Sequence, residues 1–149
     1  MKPLLFLFVP ALLVAPALAG EPSDLVQRFY EDIGLESTLT GRALFTTPAA
    51  GIFVMDEKLS NGGEEIGCID FGLAIDAQDY DDAEIARTLE LDETVEGDKA
   101  TVVASVDIFP GGQAHREIEW TLRKKAGVWK IADVASLSGG WRLSEFDCE

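Results

Sequence analysis

From Ala100 to Ile108 every second residue is apolar: Ala100, Val102, Ala104, Val106 and Ile108 alternate with Thr101, Val103, Ser105 and Asp107. Successive side chains of an extended chain point to opposite faces, so this spacing predicts a strand over 99–109 with one face buried. The rhythm returns twice. Residues 114–124 place Ile118, Trp120 and Leu122 inward and Glu117, Glu119, Thr121 and Arg123 outward, and 128–135 makes a last strand. An earlier strand is expected over 85–91, with Ile85, Leu89 and Leu91 on one face and Arg87 as the exception. Pro110-Gly111-Gly112 and Ala126-Gly127 are short links, and short links between consecutive strands favour an antiparallel meander. The tail 136–149 is rich in Gly and Ser.

The first half has a different period. Leu25, Val26, Phe29, Tyr30 and Ile33 recur at helical spacing, which predicts a helix over 24–33 with Ser23 as N-cap and Gly34 as the stop. A second helix is expected over 48–59. Thr47-Pro48 suits a cap followed by Pro at the first helical position, Ile52, Met55 and Leu59 line one side, and Asn61-Gly62-Gly63 ends it. Residues 66–75 fit either an extended piece or a short helix, and the acidic stretch 76–84 reads as a connection. Helices first and strands after define an α+β fold, with N-terminal helices packed on a four-stranded or larger antiparallel sheet.

The start of the chain has its own logic. One positive charge at Lys2, an uncharged apolar run from Leu4 and a small-x-small ending at Ala17-Leu18-Ala19 are laid out like a cleavable signal peptide. Pro10 and Pro16 break the run, which is also marginal for a bilayer span of about 20 residues. Cleavage is expected between Ala19 and Gly20, leaving no stable membrane anchor, a periplasmic or secreted protein, and 20–149 as one domain. That remainder holds 11 basic and 27 acidic residues, because Lys2 is the only charge removed. The excess works against nucleic acid, whose phosphates need Lys and Arg, and fits a basic protein partner.

Cys68 and Cys148 are the only cysteines, and an oxidising compartment turns such a pair into a disulfide. They lack the close Cys-x-x-Cys spacing of a redox pair, so a structural bridge closing about 80 residues is expected.

Several stretches together are similar to a known superfamily. A strand opening Asp98-Lys99-Ala100-Thr101-Val102 is followed by one ending at Arg123-Lys124, a Gly turn, and Val128-Trp129-Lys130-Ile131-Ala132-Asp133-Val134. Together with Phe29-Tyr30 in the first helix, Ile69-Asp70 and Ala77-Gln78-Asp79-Tyr80, this resembles the nuclear transport factor 2-like superfamily, in particular an uncharacterised exported bacterial group within it. The resemblance covers nearly all of the chain after the leader. It implies a curved sheet wrapped around helices as a cone with an open pocket. Members include isomerase-like and dehydratase enzymes, binding modules and interaction domains, so the fold alone selects no activity. The Asp base and the Tyr and Asp oxyanion donors of the isomerase-like members match no specific positions here, and no catalytic residue is carried over.

His115, the only histidine, lies beside the Gly111-Gly112 turn with no nucleophile motif such as Gly-x-Ser-x-Gly, and reads as a solvated surface residue. One His and two distant Cys do not make a zinc set. Asp76, Asp79, Asp81 and Asp82 fail the calcium-loop pattern, because its sixth position is Asp81 where Gly is needed. No metal or cofactor is therefore expected. Asp70, among apolar residues, is expected either to accept backbone N–H bonds in an irregular turn or to serve as a raised-pKa acid–base group. Asp70, Gln78, Asp79, Tyr80 and Trp129 are the candidate ligand-binding residues. Trp129 is expected on the sheet face opposite Val128 and Val134, and Trp141 either as an interface anchor or packed over a sheet edge. The expectation is a non-catalytic exported binding domain. The alternative is a cone for a small apolar ligand, with isomerase- or lyase-type chemistry through Asp70 or Asp79.

Overall fold

The computed structural model describes residues 20–148; the leader-like stretch 1–19 and its expected cleavage lie outside the described residues. Four helices precede a five-stranded sheet: α1 (Glu21–Glu31), α2 (Leu39–Arg42), α3 (Ala49–Leu59), α4 (Asp82–Thr88), then β1 (Glu90–Glu96), β2 (Lys99–Asp107), β3 (His115–Lys125), β4 (Val128–Ser136) and β5 (Trp141–Arg142). All neighbouring strands are antiparallel, in the order β1-β2-β3-β4-β5. The fold is α+β, as the change of period predicts.

The strands predicted over 99–109 and 114–124 stand where the alternation put them, as β2 and β3. Ala100, Val102, Ala104 and Val106 on β2 and Ile118, Trp120 and Leu122 on β3 are all buried. Against them lie Val26, Phe29 and Tyr30 of α1, with Phe29 and Trp120 ring centroids 5.0 Å apart. The Trp120 indole N–H donates to the Tyr30 hydroxyl at 3.3 Å, which satisfies a polar group inside the core. Phe45 packs edge-on against both Phe29 and Phe53. The space between helices and sheet is thus filled by aromatic side chains.

Four local expectations need correction. Helix α1 starts at Glu21 rather than 24, and Ser23 lies inside it instead of capping it. Pro22 is tolerated in the first turn, and the carboxylate of Glu93 on β1 accepts the Ser23 N–H at 2.8 Å, doing from a distant strand what a local cap does. Residues 82–88 are helical, not extended. Asp81 caps α4 by accepting the Glu84 N–H at 2.9 Å, and Ile85 and Leu89 fit an i, i+4 helical spacing as well as a two-residue one. The first strand begins only at Glu90. On α3 the buried side chains are Ala49, Ile52, Phe53 and Asp56, whereas Met55 and Leu59 are exposed, and Thr47 makes no cap bond.

The fourth correction concerns Trp129. Leu122 pairs with Ile131 but Thr121 pairs with Asp133, so Ala132 is an extra residue in β4. Such a bulge reverses the parity of everything beyond it. Trp129 and Val134 consequently share the helix-facing side, with Trp129 only 8% exposed and the Lys124 ammonium 5.2 Å from its ring centroid.

The outer edge of β4 is covered at one end by β5 and at the other by the 44–46 segment, where Thr46 N–H donates to Ile131 O at 2.8 Å. The opposite edge strand, β1, carries Glu90, Asp92, Glu93 and Glu96, and charge of that density discourages pairing with another chain. No helix among the described residues is long and apolar enough to cross a membrane.

Candidate functional site

Residues 64–81, which include the ambiguous stretch 66–75, form neither a regular strand nor a helix. They are nonetheless held at several points. The Asp56 carboxylate of α3 accepts the Ile69 N–H at 2.9 Å, and Glu36 accepts the Leu73 N–H at 2.8 Å. Gly72 N–H donates to Ala77 O at 3.0 Å, and the Gln78 amide donates to Asp70 O at 3.0 Å. At the far end Asp76 accepts from the Ser136 hydroxyl at 2.8 Å and the Trp141 indole at 2.7 Å. Cys68 is bonded to Cys148, with the two Cα atoms 5.5 Å apart, as the cysteine count implies. Leu73, Ala74 and Ile75 are fully buried between these anchors. These bonds tie an irregular loop to α3, to the 34–37 turn and to β4.

One wall of a cleft of about 480 Å³ is this loop; the other is built by Gly34–Ser37, Arg42 and α3. A second cleft of about 530 Å³ adjoins it and shares Ser37, Arg42, Asp56, Ile69 and Asp70. Together they make one groove. Its rim carries Leu39, 86% exposed, and Ile66, 80% exposed, and its walls carry Asp56, Glu57, Glu65 and Asp70 against the single cation Arg42. No strand residue lines either cleft. The groove therefore opens at the margin of the molecule, not into the sheet, and differs from the open cone that the superfamily resemblance implies.

Glu36 is the unusual member of the first cleft. It is 4% exposed, its Oε1 holds the Leu73 N–H, and its Oε2 is buried with no hydrogen-bond partner among the described residues. Burial pushes its carboxyl above the usual range, the bond from the Leu73 N–H pulls the other way, and the nearby Asp32 adds to the rise. Arg42 lies with its guanidinium carbon 5.6 Å from the Phe53 ring centroid and donates from Nε to the Glu36 carbonyl at 3.3 Å.

The groove takes two of the five candidates singled out in the sequence. Asp70 is exposed and lines both clefts, and Gln78 lines the first. Asp79 is exposed on the connection beyond it, Tyr80 is half-buried against the core, and Trp129 lies at the other end of the sheet beside α1. Glu36, Arg42 and Asp56 escaped sequence reasoning because nothing local marks a carboxylate that will meet a distant loop. Asp56 at helical spacing from Ile52 and Phe53 was the one available signal.

The other polar clusters resolve into structural roles. Asp76 and Asp81 hold the Trp141 indole and the α4 N-terminus, and no group of three or more metal-ligating residues exists among the described residues. His115 is half-exposed and pairs with Asp107 at 2.8 Å. Ser105 lines the same cavity, and no hydrogen bond among the described residues joins its hydroxyl to the imidazole.

The fold and the groove define a disulfide-closed α+β domain with a marginal cleft. A solved structure has a similar fold. A chain in the crystal structure of the type VI native effector-immunity complex Tae3-Tai3 from Ralstonia pickettii matches with a TM-score of 0.53 at 18% identity, over 85% of this chain and 97% of that one. No protein-family model and no curated protein sequence matches the chain.

Proposed function

We propose that the chain is an exported, non-catalytic binding domain that docks a protein bearing a basic, partly apolar segment in the groove beside the Cys68–Cys148 bridge. The observation that carries this reading is the pairing of two highly exposed apolar side chains, Leu39 and Ile66, with acidic walls at Asp56, Glu57, Glu65 and Asp70. Exposed apolar groups rimmed by like charge suit a partner of opposite charge, which the walls steer and the rim holds. The net charge of −15 favours the same class of partner at long range. The solved structure of similar fold is that of a complex between two proteins, so this architecture is compatible with a protein partner. The disulfide and the leader-like start support a place outside the cytoplasm.

The small-ligand alternative has weaker support. Asp79 lines neither cleft, Asp70 is solvated, and aromatic side chains occupy the space between helices and sheet. Membership of the nuclear transport factor 2-like superfamily is likewise our proposal; helices laid on one face of an antiparallel meander support it.

The test is affinity capture from the source cell with the wild-type chain and with a Leu39→Asp/Ile66→Asp double variant, both checked for intact fold. The wild type should hold a protein rich in Lys and Arg at low ionic strength and release it as salt rises, and the double variant should not hold it. Capture unaffected by the two substitutions, or no basic protein retained at low salt, rejects the reading.

A further inference from the structure

We propose that the Glu36 end of the groove is a socket for a guanidinium group, so that the partner anchors itself by inserting an arginine side chain whose N–H groups reach Glu36 Oε2. This rests on the protein-binding reading above and names its central contact.

The socket lacks one donor. Oε1 of Glu36 is held by the Leu73 N–H at 2.8 Å, while Oε2 is equally buried and has no partner among the described residues. A buried acceptor left unpaired has lost its water without compensation, and an incoming donor removes that cost. Few buried groups in a folded protein remain unpaired, so one in the wall of a cleft marks where a ligand group belongs.

Charge selects the sign of that group. The carboxyls of Glu36, Asp56 and Asp70 line the cleft against Arg42 alone, and Arg42 is already engaged with the Glu36 carbonyl and with Glu57 at 3.5 Å. A carboxylate or phosphate would meet three acidic side chains. The walls select guanidinium over ammonium. Phe53, Ile69 and Phe71 supply apolar and aromatic surface for a flat, weakly hydrated head and its three-carbon stem. The Arg42 guanidinium lying over Phe53 shows the geometry that such a ring accepts.

Binding is then coupled to protons. Tyr30 and Asp32 from α1 and its C-terminal end, Arg42 from α2, Asp56 from α3 and Asp70 from the loop are the titratable and charged groups around Glu36. Burial holds the Glu36 carboxyl protonated to a higher pH than a solvated Glu. A guanidinium binds the ionised form, so affinity should fall about tenfold per pH unit once the pH drops below the Glu36 titration midpoint.

The experiment titrates n-butylguanidinium, and n-butylurea as its neutral isostere, into 15N-labelled protein while following the Leu73 and Ile69 amide resonances. A saturable shift with the cation, at least tenfold weaker with the urea and weakening toward low pH, is the expected result. Glu36→Gln should reduce the cation's affinity at least tenfold with the remaining resonances in place. Amides unmoved by the cation, an equal response to the urea, a pH-independent affinity, or wild-type affinity in a folded Glu36→Gln protein would each overturn the socket. If Glu36→Gln does not fold, the wild-type pH profile and the urea comparison still decide. Partner capture that depends on Leu39 and Ile66 but survives Glu36→Gln would sink the socket alone and leave the docking groove standing.

Discussion

The indole N–H of Trp141 donates to the Asp76 carboxylate at 2.7 Å, joining two residues 65 positions apart. The same carboxylate accepts the Ser136 hydroxyl, and Trp141 packs edge-on against Phe71 and Phe146 with centroids 5.2 Å and 5.6 Å away. Trp141 is thus the plug of a small aromatic cluster beyond β4, one of the two roles its sequence position allowed. Asp76 has a φ of 49°, a left-handed conformation that Asn also tolerates. Asp76→Asn should therefore keep the backbone but lose the charge-assisted bonds, at a cost of about 1.5–3 kcal/mol. Urea unfolding followed by tryptophan fluorescence measures it, and an unchanged midpoint would refute the role.

The Cys68–Cys148 bridge constrains an 80-residue separation. The chain-entropy model puts its removal at about 4–5 kcal/mol. The Cys68→Ser/Cys148→Ser protein should lose that much unfolding free energy, read as a lower urea midpoint, and thiol titration of the wild type, denatured without reductant, should detect no free thiol.

Glu93 caps a helix from another element. Removing its carboxylate leaves the Ser23 N–H without its acceptor at the positive end of the α1 dipole. Glu93→Ala should cost about 1 kcal/mol. Its effect should concentrate in faster amide hydrogen exchange over the first turn of α1, with the α3 amides unaffected.

Stability should carry a pH signature from Glu36. Its folded pKa is raised above that of the unfolded chain, so the native state binds the proton more tightly and this group favours folding at low pH. The contribution is complete below the unfolded carboxyl value and is lost as the pH rises through the folded one. The difference in unfolding free energy between wild type and Glu36→Gln should shift against the wild type over that interval and then level off. A flat difference from pH 4 to 8 would show that Glu36 ionises like a solvated carboxylate.

Gly67 carries a steric requirement. A Cβ there would collide with the Asp56 carboxylate that receives the Ile69 N–H. Gly67→Ala should displace Asp56, loosen the cleft wall and lower the melting temperature by several degrees, whereas Gly51→Ala, with open space at its Cβ, should not.

Much of the sheet was legible because its information is local. Ala100 to Ile108 alternate within nine residues, and the faces they predict are the faces they occupy. β1 was not legible, since Glu90–Glu96 has weak strand propensity and becomes a strand through its register with β2. The same held for residues 85–89, where two apolar positions fit both periods and the Asp81 cap settled the matter. Asp70 shows the limit for the site. It was expected to hold an irregular turn through backbone N–H groups if buried, but it is exposed, and the carboxylates that hold this turn are Glu36, Asp56 and Asp76.

By itself the sequence determined the class of fold, the helix-facing residues of β2 and β3, and the pairing of its two cysteines. Each depends on spacing within one segment, or on there being only one partner to choose. The tertiary structure alone decided the bulge at Ala132 that turned Trp129 inward, the groove, and the burial of Glu36. Those depend on which distant backbone N–H groups lack a partner once the chain has packed, and that deficit exists only in three dimensions.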